Sequence, residues 1–196
     1  MGGGASEAGD AWIQNLPEPT AWERGESAEA LGAYLECWRG ELGPDWQGYH
    51  NHCQRVLILF RALHPEPCAA VLPAIAFHDV ALWSHETVDY LEPSAALAVE
   101  HLRAVGREDW VEPVRAMILW HHKQRPYVGP HAELVEPLRR ADMGDFSFGL
   151  QGGVPAEARR RARARYPNAG FHWMLTRRAL QRLVTKPWSP LPMLRW

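Results

Sequence analysis

Side chains able to bind a cation or move a proton recur at helical spacing against apolar partners: His52, His78, Asp79, His121, His122, Asp142 and Asp145. His52 lies four residues before Val56 and so extends the apolar stripe Val56, Leu59, Phe60 and Leu63, which turns it inward on a helix. His50 falls about 200° around the same helix, on the side of Leu57 and Arg61 or ahead of the first turn. Ile75, His78, Asp79 and Leu82 occupy positions i, i+3, i+4 and i+7. Val114, Met117, Ile118 and His121 share a face, with His122 one turn beyond Ile118. Leu134, Leu138 and Asp142 recur at four-residue steps, and Asp145 follows one turn later. A carboxylate carried into a core is costly unless it is paired or metal-bound. One inward histidine is ordinarily a hydrogen-bonded core residue. Several helices aiming His or Asp at one interior are different, and a divalent cation is the natural common partner of neutral imidazole and carboxylate.

The elements that must position these groups read as helices throughout. A first helix follows Ser27 as N-cap and carries Leu31, Tyr34, Leu35, Trp38 and Leu42. A second runs from His52 to Leu63 and a third from Pro67 to Trp83. Pro93 opens a fourth and Gly106 closes it. A fifth spans Pro113 to Lys123, a sixth His131 to Phe146, and two more cover Ala156–Tyr166 and Phe171–Thr185. No segment alternates as a strand between hairpin turns. The expected fold is all-α, a helical bundle over residues 26–185. Residues 1–25 form a loose or surface-wrapping segment, and residues 186–196 a Pro- and Trp-rich tail whose Trp188, Leu191 and Trp196 could dock on the domain.

The 196 residues suit a single domain, and a hydrophobic content of 46% supplies a real core. Lys and Arg total 21 against 23 Asp and Glu, a net charge of −2, which offers no global attraction to nucleic acid or an anionic membrane. No stretch approaches the ~20 apolar residues of a membrane span. The opening MGGGASEAGD does not read as a secretory signal. Cys37, Cys53 and Cys68 are an odd set without CxxC spacing, which argues against a disulfide scaffold and a cysteine zinc site and fits a reducing cytoplasm. Most of the ten tryptophans read as packing.

The order His52, His78-Asp79, Asp142 resembles the H…HD…D signature of the HD superfamily of metal-dependent phosphohydrolases. HCQRV looks like that family's HxxRV opening, FHDVALW like its HD core and RRADMGDFS like its closing AD segment. The likeness covers residues 48–150. The phrases FHDVALWSHETVDYLEPSAALA, ILWHHKQ and ADMGDFS are similar to a bacterial subgroup of HD proteins. The resemblance implies an HD-domain-like bundle in which His52, His78, Asp79 and Asp142 hold a divalent ion (Mn, Fe, Mg, Co, Ni or Zn) and a metal-bound water attacks a phosphate ester. It implies that Asp79 orients the water, and that His121 or His122 protonates the leaving oxygen or carries a second metal. Lys123 and Arg140 are candidates to neutralise phosphate. YHNHCQ also resembles a YHNxxH opening of other HD enzymes, including cyclic nucleotide phosphodiesterases, which would put the ligand at Gln54, a poor one. His52 is therefore preferred, with His50 as a candidate general acid.

Around this set, His85 and Glu86 stand one turn past the HD pair and are candidates to line the entrance, and Asp145 is a candidate to orient a ligand of the metal. The arginine run 158–165 reads as a solvated helix face, since no aromatic residue interleaves it for base stacking. His64, His101, His131 and His172 have no evident partner. The expected substrate is a phosphorylated small molecule, such as a nucleotide or metabolite, with neither membrane nor nucleic acid as partner. Two other functions compete with hydrolysis: an HD-fold di-iron oxygenase, suggested by His121 and His122, and a non-catalytic module that senses a nucleotide or metal.

Overall fold

The computed structural model describes residues 28–66, 68–85 and 87–185, together with 188 and 193. The N-terminal segment, the Ser27 cap, Glu86, Leu191 and Trp196 lie outside the described residues. The described chain is all-α, with no strand. Its helices are α1 (Ala28–Glu36), α2 (Arg39–Leu42), α3 (Trp46–Leu63), α4 (Val71–Phe77), α5 (Ala81–Ser84), α6 (Leu91–Ala104), α7 (Val111–Trp120), α8 (Ala132–Phe146), α9 (Ala156–Arg165) and α10 (Phe171–Thr185). Short 3-10 turns at Gly43–Asp45 and Glu108–Trp110 lead into α3 and α7.

The middle of the bundle is α3, which packs on α1, α4, α8, α9 and α10. Because neighbours surround it, its polar residues are buried with its apolar ones, and each must find a partner. Gln54 donates to the Ala28 carbonyl (2.7 Å) and Asn51 to the Pro167 carbonyl (2.8 Å), tying both ends of the domain to this helix. At Gly48 the chain between α9 and α10 comes so close that a Cβ would lie 3.0 Å from the Ala169 carbonyl oxygen and 3.2 Å from the Phe171 nitrogen. That approach seats Phe171 deep in the bundle, although α10 otherwise buries only Met174.

Several expected helices differ in their bounds: the fourth begins at Leu91 and not Pro93, and the fifth runs Val111–Trp120 and not Pro113 to Lys123. The first breaks at Cys37–Trp38 into α1 and α2, while Leu31, Tyr34, Leu35, Trp38 and Leu42 all remain buried. The second begins at Trp46, not His52. The third divides at His78–Val80, between α4 and α5. There side chains replace helical hydrogen bonds. The Ile75 carbonyl accepts from His78 Nδ1 (2.7 Å), the Ala76 carbonyl from the Tyr49 hydroxyl (3.1 Å), and the Ala81 nitrogen donates to Ser94 Oγ (3.2 Å). Pro93 and Pro113 each sit third in their helix, within the first turn, where a missing N–H leaves no helical bond unmade.

Candidate metal centre

His52, in the middle of α3, is oriented from α8. Its Nδ1 lies 2.8 Å from Asp145 Oδ2. Arg55, one turn on along α3, grips that carboxylate with two bonds, Nε to Oδ1 at 2.7 Å and Nη2 to Oδ2 at 2.8 Å, while its Nη1 donates to the carbonyls of Tyr166 and Pro167. Asp145 is therefore ionised and can only accept, so His52 Nδ1 carries a proton and Nε2 presents a lone pair. The His52 and Arg55 contacts outweigh burial and hold the Asp145 carboxyl down at about 2.

His78 and His121 are fixed by another device. Each stands at a helix end and donates Nδ1 to the carbonyl three residues earlier: Ile75 at 2.7 Å and Ile118 at 2.6 Å. Their Nε2 atoms are left to face the interior. His78 Nε2 lies 3.1 Å from His52 Nε2, 3.3 Å from Asp79 Oδ2 and 3.7 Å from Asp142 Oδ1. His52 Nε2 is 3.3 Å from Asp142 Oδ1, and His121 Nε2 is 3.4 Å from Asp79 Oδ1. His122 joins through Nδ1, 3.6 Å from Asp142 Oδ2, with its Nε2 held 2.6 Å from the Tyr90 hydroxyl. Phe171 stacks on the His52 ring at 4.1 Å and Tyr49 lies parallel to His78 at 5.9 Å.

In their neutral forms His52, His78 and His121 thus offer three lone pairs to one another and to two carboxylates, with no proton between them. Asp79 Oδ1, Asp142 Oδ2 and His121 Nε2 are fully buried and make no hydrogen bond. Such a set can be satisfied by a metal cation or by protons on the imidazoles. With only protons to hand, burial opposes a charge on His52, but Asp142 and Asp145 override it and raise its pKa to about 9. His121 is likewise raised, against its burial, by Asp79 and Asp142. Asp79 and Asp142 are pushed down from the ordinary carboxylate range despite burial, by the imidazoles around them. Burial and the neighbouring His121 hold His122 at about 3. Three overlapping groups bring ligand atoms within 4.8 Å of one another: His52, His78 and Asp142; His78, Asp79 and His121; His121, His122 and Asp142. These nitrogen and oxygen donors fit a divalent cation.

The remaining candidates are not brought to this point. His50 lies on another face of α3, against Trp46 and Tyr166, with Nδ1 at 3.2 Å from Asn51 Oδ1. The Lys123 ammonium lies over the Trp120 ring, 5.8 Å from its centroid. Arg140 donates to the carbonyls of Gly152 (2.8 Å) and Gly153 (3.0 Å) and so closes the turn after α8. His85 is exposed beside Ser84. The arginine run forms α9, which buries only Ala162. Sequence reasoning missed Arg55, Tyr49, Tyr90 and Phe171. A signal existed for Arg55, which recurs one turn after His52 on a buried face.

A cavity of about 680 Å³ opens directly onto the cluster, with His52, Asp79, His122 and Asp142 on its floor. No helix among the described residues is long and apolar enough to cross a membrane. Comparison with protein-family models, with curated proteins and with solved structures finds no significant match.

Proposed function

We propose that the chain is a metal-dependent phosphohydrolase of the HD type, acting on a phosphate ester. The observation that carries the reading is the convergence of His52, His78 and His121 with the Asp79 and Asp142 carboxylates, three of which (His52, Asp79 and Asp142) line a ligand-sized cavity. His52, His78, Asp79 and Asp142 would hold the ion. A divalent ion there would polarise a phosphoryl oxygen and acidify a bound water. Asp79, ionised because its carboxyl is held low, has Oδ1 without a hydrogen bond and could accept one from such a water and so orient it. His122, hydrogen-bonded to Tyr90 and held neutral by burial, lines the cavity where it could hydrogen-bond the leaving oxygen or join a second ion. Asp145 and Arg55 act on His52, fixing the nitrogen it presents.

The test is metal content and phosphate release, measured together on the wild type and on Asp79→Ala. A near-stoichiometric divalent ion and metal-dependent release, both lost in the variant, support the reading. Release that survives in Asp79→Ala removes it. A second reading, a di-iron oxygenase, is favoured by the overlapping group His121, His122 and Asp142, which could hold a second ion while sharing ligands with the first. Two irons per chain with oxygen uptake and no phosphate release would put it first.

A further inference from the structure

The wall of the cavity is of another character from its floor. Leu82, Val88, Phe146, Phe148, Phe171 and Leu175 are among the apolar residues that predominate there, with the half-exposed Leu180 and Leu183 of α10. Among the described lining residues the only cationic side chain, apart from the histidines, is Arg178. Its guanidinium is already engaged, donating Nη1 to the Leu82 carbonyl (2.7 Å) and lying over the Trp83 ring at 5.4 Å. Of the polar side chains, Gln124 donates to the His122 carbonyl and Thr176 to the His172 carbonyl, while Gln151 is exposed. Both ring nitrogens of His172 are within 3.0 Å of a partner, Asn168 Oδ1 or the Phe146 carbonyl.

A polar substrate fits this wall poorly. A di- or triphosphate brings negative charge that must be matched by cations beyond the metal cluster, and the described wall supplies one, Arg178. Sugar hydroxyls buried against leucine and phenylalanine lose hydrogen bonds to water without replacement. A hydrocarbon chain or aryl ring loses nothing there and gains by leaving water. We infer that the substrate has an apolar body, an alkyl, acyl or aryl group, and carries a single anionic head that meets the His/Asp cluster. The head being a phosphate rests on the phosphohydrolase reading above; the apolar body rests on the cavity wall alone.

The experiment is calorimetric titration of the full chain loaded with manganese. The ligands are n-butyl, n-hexyl and n-octyl phosphate, glucose 6-phosphate, AMP and n-octanol, with phosphate release followed in parallel. The expected result is a dissociation constant that falls about fourfold per methylene, so about two orders of magnitude from butyl to octyl. Octyl phosphate should bind more tightly than AMP and glucose 6-phosphate. Leu175→Asn, and separately Leu183→Ser at a half-exposed position where folding is little affected, should each flatten the dependence on chain length. A flat series, or AMP or glucose 6-phosphate binding as tightly as octyl phosphate, overturns the inference. Octanol binding as tightly as octyl phosphate, with no phosphate released, upholds the apolar body and removes the phosphohydrolase reading instead.

Discussion

The Nε2 atoms of His52 and His78 face each other across 3.1 Å, and in the neutral rings neither has a proton to offer. Both Nδ1 protons are committed, one to Asp145 and the other to the Ile75 carbonyl. Without a metal, the proton that Asp142 and Asp145 hold on His52 is what separates these two nitrogens, so an ion and that proton compete for the same place.

Metal removal should therefore cost stability. An ion present at 100 times its Kd adds about 2.7 kcal/mol to the folded state. For a domain of this size that is about 5–10 °C in the unfolding midpoint. Scanning calorimetry with chelator and with manganese checks this, and identical midpoints would count against an ion at the cluster.

Asp145→Asn should weaken metal binding by about 10- to 100-fold, because the amide can present a donor to His52 Nδ1 and free the wrong tautomer. The variant remains folded if Arg55 keeps its bonds to the Tyr166 and Pro167 carbonyls. Metal titration by calorimetry gives the ratio directly.

Arg55→Met attacks the same unit from the other side. It leaves Asp145 buried without its bidentate partner, and breaking a buried ion pair costs about 3–5 kcal/mol. Urea unfolding of the metal-free variant separates this loss from any effect on metal affinity.

At Gly48 an added methyl group meets backbone, which has little room to give. Gly48→Ala should destabilise by about 1–3 kcal/mol, the usual range for overpacking. It should also move Phe171 off the His52 ring, visible as altered ring-current shifts of His52 in NMR spectra.

His101 provides a pH prediction away from the cluster. It is packed between Tyr34 and Phe77, and burial lowers its pKa to about 4. The unfolded chain therefore takes up this proton near pH 6.5 while the folded one does not. The stability linked to His101 is complete above about pH 6.5 and declines as the pH falls toward 4, by about 3 kcal/mol in all. NMR titration of the His101 ring should give a midpoint near 4; one near 6.5 would refute the assignment.

The existence of most helices and the inward turn of His52, His78, Asp79, His121 and Asp142 were legible, because a 3.6-residue period reports which side of a helix is buried. The break at His78–Val80 was not, since it depends on Tyr49 and Ser94 reaching in from other helices. Lys123 and Arg140 had the right charge for a phosphate, but residue type does not say where a long flexible side chain ends. Their targets, the Trp120 ring and the glycine carbonyls, follow from the local path of the chain. Tyr90 stands at the entry to α6, where no periodicity marks it as facing His122.

The two ways of fixing an imidazole differ in when they can form. His78 and His121 take their orienting bonds from carbonyls three residues away, so each ring is set as soon as its helix end forms. His52 needs Asp145, 93 residues distant, and that contact closes a long loop of chain. Local contacts form early in folding and long closures late. Part of the cluster is thus ready at the level of single turns, and the arrival of α8 against α3 completes it, so the cluster's affinity for an ion should mature only at the last stage of folding.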